Sequence, residues 1–236
     1  MYNLLKVEFY KLKKFQLGYI TIFTMFIFGY IYGDGRIIKR VFELTDSIST
    51  VFSCIVCDTS FVFLISIIAA LFISVDFGNR TICNEIKLGY SRFHILLSRM
   101  AVVCVFAILF HLTFIISAIV GFFAERGVDT SLFCIENAFW LLTILIQLSA
   151  VTSGVVLISF IAKKVAEAVA LSALYTFVCC NILRNFISAK IYTLSCFSFV
   201  QNNNSENLVS AIVSALVTMI VFLVIGTIIF NKAEVK

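Results

Sequence analysis

The chain has 236 residues, a net charge of +5, 26 phenylalanines and a mean hydropathy of +1.08, and 61% of its residues are hydrophobic. A soluble core of this size cannot hide so much apolar surface, so the composition excludes a soluble globular domain and predicts a protein whose solvent is lipid. The positive charge does not indicate nucleic-acid binding, because the basic residues lie at the ends of apolar segments, where they set membrane topology.

The first 14 residues predict an amphipathic helix on the inner membrane surface, with its lysine amines facing anionic head groups. A signal peptide also begins with a basic segment. However, the apolar segment that follows is long for a signal peptide and no small-x-small cleavage site precedes Gly33, so we expect this helix in the mature protein. The residues assigned to the interfacial helix are Leu5, Lys6, Phe9, Leu12 and Lys13.

Six apolar segments are each of about the length needed to cross a membrane as a helix. Lys163 and Lys164 separate the fourth from the fifth, because one helix through both would be about twice as long as the hydrocarbon layer is thick. The chain (1–236) is therefore predicted to be a single, all-α transmembrane domain. Its spans are predicted at about 15–32, 59–75, 100–123, 138–162, 165–183 and 209–230.

Six spans place both termini on the same face of the membrane. That face carries 12 of the 18 lysines and arginines, and the opposite face carries the other six. Since basic residues are retained on the cytoplasmic side, both termini and the loop 76–99 are predicted to be cytoplasmic. The segments 33–58 and 184–208 are then external.

The loop 76–99 carries the signals of a short helix. Thr81 is expected to cap a helix over about 82–88, and Gly89 to end it. Ser91 is expected to cap the next helix, which continues into the third span. A short helix held between two spans would deliver any force on it to both.

Motifs of catalysis are absent from the sequence. It has no G-x-x-x-x-G-K-[ST] phosphate loop and no H-E-x-x-H, and its two histidines are isolated, so we predict no catalytic residue and no metal site. Cys54 and Cys57 form a C-x-x-C spacing, which is a redox pair, half a metal site or apolar packing. A disulfide among the cysteines predicted to be external, Cys54, Cys57 and Cys196, is a further alternative.

Polar residues inside the spans are the candidates for a transport pathway. His111 in the third span either lines a polar path or packs in the interior. A cluster in the fourth span needs partners in hydrocarbon, which are either a neighbouring helix or a wet cavity. These residues are Gln147, Ser149, Thr152 and Ser153.

The chain contains no proline, so a bend in a span would have to arise at glycine, serine or threonine. Gly121, Gly154 and Gly226 are the candidate bend sites. Close packing of neighbouring helices is the alternative role for each of them.

The chain has a basic N-terminal helix LLKVEFYKLKK, a span, an outer segment and a second span, and then RTICNEIKLGYSR with ILLSRM opening the third span. This order of segments resembles that of the membrane subunits of type-2 ABC exporters. Members of that family commonly have glycine where Arg80 stands and lysine where Arg99 stands. The resemblance implies a coupling helix within 80–92 that fits a cleft on a separate cytoplasmic ATPase. It implies docking residues at Arg80, Thr81, Asn84, Glu85, Lys87, Tyr90 and Arg92.

The same resemblance implies the remaining features of a transporter. The segment 184–207 would form re-entrant or surface helices at the outer mouth. The protein would be a multi-pass permease of a bacterial plasma membrane that works with two ATPase subunits and a second permease, identical or homologous. ATP and Mg would bind the ATPase, and this chain would hold no cofactor. Family members of this size often export antimicrobial peptides or give immunity against lantibiotics.

A second class of function fits the same loop. A membrane receptor or scaffold that does not transport would also use a cytoplasmic loop to dock a soluble partner. An intramembrane enzyme would need a constellation of acids or a metal site, and the sequence contains none.

Overall fold

A computed structural model describes residues 2–45, 48–58, 61–126, 135–182, 195–198 and 205–232. Within these ranges every regular element is a helix, which confirms the all-α class. One π-helical turn, Val178–Ile182, continues α9. The helices are α1 (Tyr2–Lys14), α2 (Gln16–Gly33), α3 (Arg36–Thr45), α4 (Ile48–Val56), α5 (Val62–Gly78), α6 (Thr81–Lys87), α7 (Arg92–Arg126), α8 (Ile135–Ala162), α9 (Val165–Phe177) and α10 (Ser205–Lys232).

Four helical segments of the described chain are long and apolar enough to cross a membrane. A fifth results if α5 and α6, which are bent by 60° at their junction, are counted as one span. The segment Val165–Cys180 is apolar but shorter. The six-span count and the side of the termini therefore stay predictions. The four segments are Gln16–Glu43, Arg92–Ala124, Asn137–Ala162 and Leu208–Lys232.

Two of the breaks between helices lie at residues that the sequence marks as the ends of apolar segments. The first long helix, α2, ends at Gly33, and α8 ends at Ala162, one residue before the lysine pair. Lys163 has a φ of 58°, a left-handed conformation that stops α8 and redirects the chain into α9. Lys164 then pairs with Glu167 at 2.8 Å, the local ion pair expected at helical spacing.

Two apolar clusters form the interior. The first joins α2, α4, α7 and α8 and is built on large side chains such as Phe110, Phe114 and Trp140. The second joins the ends of α5, α7 and α8 that lie beside α1 and α6, and it includes Leu4 and Ile82. The N-terminal helix and the short helix α6 are thus packed on the same end of the molecule.

Glycines bring α2 and α7 into backbone contact. A Cβ atom on Gly33 would lie 1.9 Å from the carbonyl oxygen of Ala118, and one on Gly29 would lie 2.6 Å from that of Phe114. On the facing helix, a Cβ on Gly121 would lie 2.3 Å from the Tyr30 carbonyl oxygen. Small residues at helix contacts are typical of membrane proteins. Gly121 therefore serves close packing, and α7 continues through it as one helix of 35 residues.

The other two candidate glycines also face neighbouring helices. A Cβ on Gly154 would lie 2.3 Å from the hydroxyl oxygen of Tyr175, and one on Gly226 would lie 2.8 Å from Cδ2 of Leu96. Both glycines lie inside continuous helices, α8 and α10. Packing rather than bending is their role.

Candidate functional site

The short helix α6 follows α5 through a turn centred on Arg80. The backbone N–H groups of Asn79 and Arg80 donate to the carbonyl oxygens of Val75 and Phe77, at 2.9 and 3.2 Å. Arg80 has a φ of 55° and occupies the N-cap position of α6 without a side-chain capping bond. The prediction that Thr81 caps this helix is wrong, because the turn brings the chain into the helix one residue earlier. A left-handed residue favours glycine, which the resembled family commonly has at this position.

The end of α6 is as predicted. The N–H of Gly89 donates to the carbonyl oxygen of Ile86 at 3.0 Å, and the N–H of Tyr90 donates to that of Glu85 at 3.2 Å. With Gly89 at a φ of 87°, this pair of bonds is a Schellman motif. Ser91 then caps α7, because its Oγ accepts a bond from the His94 N–H at 3.3 Å.

The helix α6 has an inner and an outer face. Ile82 and Glu85 are buried against the rest of the protein. The outer face presents Asn84 and Lys87, and the following residue, Leu88, is 77% exposed. An exposed leucine beside a lysine and an amide is a combination suited to contact with another protein.

Glu85 lies against a buried guanidinium. Arg99 is the eighth residue of α7 and is 0% exposed. Its Nη1 donates to Oε2 of Glu85 at 2.8 Å, and its Nη2 donates to Oδ2 of Asp76 at 2.9 Å. Its Nη2 also lies 3.4 Å from Oε1 of Glu8. One arginine therefore meets carboxylates from α1, α5 and α6.

A lysine from α1 completes this charge cluster. Lys11 Nζ donates to Oε1 of Glu8 at 2.9 Å and to Oδ2 of Asp76 at 3.1 Å, and it lies 3.6 Å from Oε1 of Glu85. Glu8 Oε1 faces the two cations, while its Oε2 is buried without a hydrogen-bond partner among the described residues. We refer to Glu8, Lys11, Asp76, Glu85 and Arg99 as the charge cluster.

The charge cluster acts as a joint between four helices. Charges removed from water are stabilised only when each has its partners, and the loss of one partner leaves another charge buried and unpaired. Each member therefore depends on α1, α5, α6 and α7 keeping their relative positions. A displacement of α6 cannot occur without moving the other three helices or breaking the cluster.

Residues 4–179 of the chain match the model of a protein family that is described as ABC-2 family transporter protein. The chain belongs to this family. It is a permease subunit of an ABC transporter, embedded in the membrane, and an ATPase is its partner in the complex. Permeases of this family are transport components and generally not catalytic themselves. No curated protein matches the chain.

The residues expected to dock the ATPase fall into three groups in this permease, which differ in exposure and in their partners. Arg80, Asn84 and Lys87 are exposed, and Thr81 and Tyr90 are half-buried. Glu85 points inward to Arg99 and is not part of the outer face. Arg92 donates through Nη1 to the carbonyl oxygens of Phe230 and of Asn231, the latter at 3.0 Å, so it joins the start of α7 to the end of α10.

The residues predicted for the interfacial helix all lie in α1 of the permease. Leu5 is half-buried against the second apolar cluster, and Leu12 packs against both clusters. Lys6, Phe9 and Lys13 are exposed. One face of α1 thus packs against the rest of the protein, and the other face is exposed.

The predicted pathway residues of α7 and α8 are buried. Ser149, Thr152 and Ser153 donate to carbonyl oxygens of the preceding turn of α8, at 2.6 to 3.1 Å. His111 Nε2 lies 3.2 Å from the Val56 carbonyl oxygen, and Gln147 Nε2 donates to Ser198 Oγ at 3.4 Å. The remaining polar atoms of these two side chains, His111 Nδ1 and Gln147 Oε1, have no partner among the described residues. A pathway at this point stays a prediction.

No disulfide joins cysteines of the described segments, Cys54, Cys57 and Cys196 included. Burial raises the pKa of the Cys57 thiol to about 12. The thiolate, which is the form that binds metal and exchanges disulfides, is therefore disfavoured. The described residues contain no group of three His, Cys, Asp or Glu side chains placed to hold a metal ion. Packing is the role of Cys57 that its surroundings support.

Sequence reasoning missed most of the charge cluster. Asp76 and Arg99 were only the limits of the predicted loop, and Glu8 and Lys11 had no role in the predicted site. One signal was present: ionisable residues at the inner ends of apolar segments are rare and are usually paired or functional. The predicted outer helices within 184–207 lie almost entirely outside the described residues, apart from 195–198 and the start of α10.

Proposed function

We propose that this permease belongs to an ATP-driven exporter and that α6 is the coupling helix on which the ATPase docks. The observation that carries the proposal is the two-faced structure of α6. Asn84, Lys87 and Leu88 face outward, while Glu85 is held from behind by Arg99. A helix that is exposed on one side and bonded to its own protein on the other is suited to pass on a movement.

The charge cluster supplies the route for that movement. A push on α6 reaches α7 through the Glu85–Arg99 pair at 2.8 Å and α5 through the Asp76–Arg99 pair at 2.9 Å. It reaches α1 through Lys11 and Glu8. ATP and Mg bind the ATPase, so the energy enters through contacts at α6. In this proposal α1, α6 and both termini lie on the cytoplasmic side of the membrane.

The assembly we propose contains two permease chains, identical or homologous, and two ATPase subunits. The large outward apolar faces of α2 and α10 support a second permease chain or lipid as their neighbour. For the substrate we propose an amphipathic peptide, including antimicrobial peptides of the lantibiotic kind. The membrane is then the plasma membrane of a bacterium, and the direction is outward.

The test is a change of Leu88, since Glu85 also serves the internal cluster and its loss would damage the fold. We expect Leu88→Glu to lower the amount of ATPase that co-purifies with the permease by about tenfold or more, as for an apolar residue at the centre of an interface. Lys164→Gln is the matched control, because both changes lower the net charge by one unit at a side chain that is 77% exposed.

ATP-driven extrusion of a labelled peptide from vesicles containing the complex is measured in parallel. Extrusion should fall with Leu88→Glu and be retained with Lys164→Gln. Retained ATPase binding in Leu88→Glu would contradict the docking of the ATPase on α6. If the complex with the wild-type permease bound a soluble partner but showed no ATP-driven transport, the result would favour a receptor or scaffold over a transporter.

A further inference from the structure

A groove between α1, α2 and α7 opens on the outside of the permease. It has a volume of about 260 Å³. Its walls are formed by Phe9, Leu12 and Lys13 of α1, Ile22 of α2 and Leu109 of α7. Gly18 forms part of its floor, where a Cβ would lie 3.1 Å from Cδ1 of Phe15 and 3.4 Å from Cε2 of Phe106. Gly18 therefore lets the rings of Phe15 and Phe106 pack close to the backbone of α2 beside the groove.

The groove is apolar along its length and adjoins the surface that faces lipid. Two of its lining residues, Tyr19 and Leu109, are 56% and 49% exposed. They belong to α2 and α7, both of which are long and apolar enough to span a membrane. An apolar groove that opens into hydrocarbon is suited to an acyl chain. Its volume lies just below the range of roughly 300–1,000 Å³ that encloses a whole drug-sized ligand.

The lining of the groove includes one positive charge. Lys13 is the only cation among the lining side chains, and no ion pair of its amine occurs within the described residues. The two neighbouring lysines of the same turn are engaged: Lys11 belongs to the charge cluster, and Lys14 lies over the ring of Tyr10 at 5.9 Å. The polar group next to Lys13, the hydroxyl of Tyr19, donates to the Lys13 carbonyl oxygen at 2.9 Å.

We propose that this groove binds one anionic phospholipid, with an acyl chain between α2 and α7 and the phosphate at Lys13. The charge matches, because Lys13 lies in the last turn of α1, the helix predicted to lie on the membrane surface, and phosphate is the anion of that surface. A lipid held here would brace α1, the helix whose opposite face carries Glu8 and Lys11 of the charge cluster. The inference requires α1 to be interfacial but does not require the permease to be an exporter.

The test uses native mass spectrometry of the full-length permease in detergent, titrated with phosphatidylglycerol or with phosphatidylcholine. We expect the first phosphatidylglycerol to bind at a lower concentration than phosphatidylcholine. Lys13→Gln should weaken phosphatidylglycerol about fivefold, the factor that one basic residue contributes at an anionic surface, and leave phosphatidylcholine unchanged. Lys6→Gln is the control, since Lys6 is an exposed lysine of α1 outside the groove.

A second pair of variants tests the groove itself. Leu109→Trp should fill it and remove the first bound lipid, whereas Leu17→Trp, at a leucine of matching exposure outside the groove, should not. Equal effects of Lys13→Gln and Lys6→Gln would overturn the proposal, since they would indicate general attraction to charge. Unchanged binding in Leu109→Trp would also overturn it. A change of oligomeric state in Leu109→Trp without loss of lipid would assign the groove to a second permease chain instead.

Discussion

Arg99 is a cation placed where water cannot reach it, and it meets carboxylates from three other helices. Its guanidinium has five N–H donors in a planar fork, which suits binding to Glu85 and Asp76 at the same time. Lysine, which the resembled family commonly has at this position, keeps the charge but not the fork. The charge cluster contains three carboxylates and two cations, so its balance depends on this residue.

We predict that Arg99→Gln lowers the free energy of unfolding by about 3–5 kcal/mol, because it leaves buried carboxylates with Lys11 as the remaining cation of the cluster. Arg99→Lys should cost less, since the charge is kept. The measurement is denaturant unfolding in mixed micelles, followed by the fluorescence of the single tryptophan, Trp140, which packs against Phe52 at 6.0 Å.

Lys87→Gln is the control for this series. Lys87 is an exposed residue of α6, and surface changes of this kind usually stay within about 0.5 kcal/mol. If Arg99→Gln unfolded at the same denaturant concentration as Lys87→Gln, the charge cluster would not be the joint that we describe.

At the scale of elements, two contacts organise the bundle. The contact of α2 with α7 depends on glycine, because backbone atoms of each helix occupy the space that a side chain on the facing helix would need. The contact of α6 with α7 depends on charge. The first contact is apolar and formed by long helices, whereas the second joins a helix of seven residues that could not stay folded alone.

Gly33→Ala is predicted to destabilise the permease by about 1–3 kcal/mol, as for other overpacked positions, because the new Cβ meets a backbone oxygen that cannot rotate away. Gly78→Ala is the matched control: it lies in α5, and a Cβ there has nothing within 4 Å. Alanine favours a helix over glycine, so Gly78→Ala should be neutral or slightly stabilising. Equal stability of the two variants in the same unfolding assay would mean that α2 can move away from α7 without cost.

At the scale of the whole molecule, the distribution of basic residues decides orientation. The two termini, the loop 76–99 and the lysine pair at 163–164 carry 12 of the 18 lysines and arginines. Because such residues are retained on the cytoplasmic side, we predict that both ends of the chain lie in the cytoplasm.

We therefore expect a green fluorescent protein fused after Lys236 to fluoresce, and an alkaline phosphatase fused at the same position to be inactive, because the phosphatase matures only outside the cytoplasm. A phosphatase fused within 127–134, between α7 and α8, should be active. An active phosphatase at the C-terminus would reverse the orientation or change the number of spans.

The sequence by itself determined the features that depend on local chemistry. Apolar length set the positions of the long helices, and the lysine pair separated α8 from α9. Gly89 and Ser91 marked the end of α6 and the start of α7, because a left-handed glycine and a hydroxyl at a helix start act on backbone groups within a few residues. Thr81 does not cap α6, because the preceding turn places Arg80 at the N-cap position.

Only the tertiary structure decided which residues meet. Glu8 and Arg99 are 3.4 Å apart in space, although α2 to α6 lie between them in the chain. Glu85 was expected on the outer face with Lys87, and the rotation of α6 about its axis turned it inward instead. Pairing and rotation follow from how α1, α5, α6 and α7 pack together, and packing depends on the summed contacts of whole helices rather than on any local pattern.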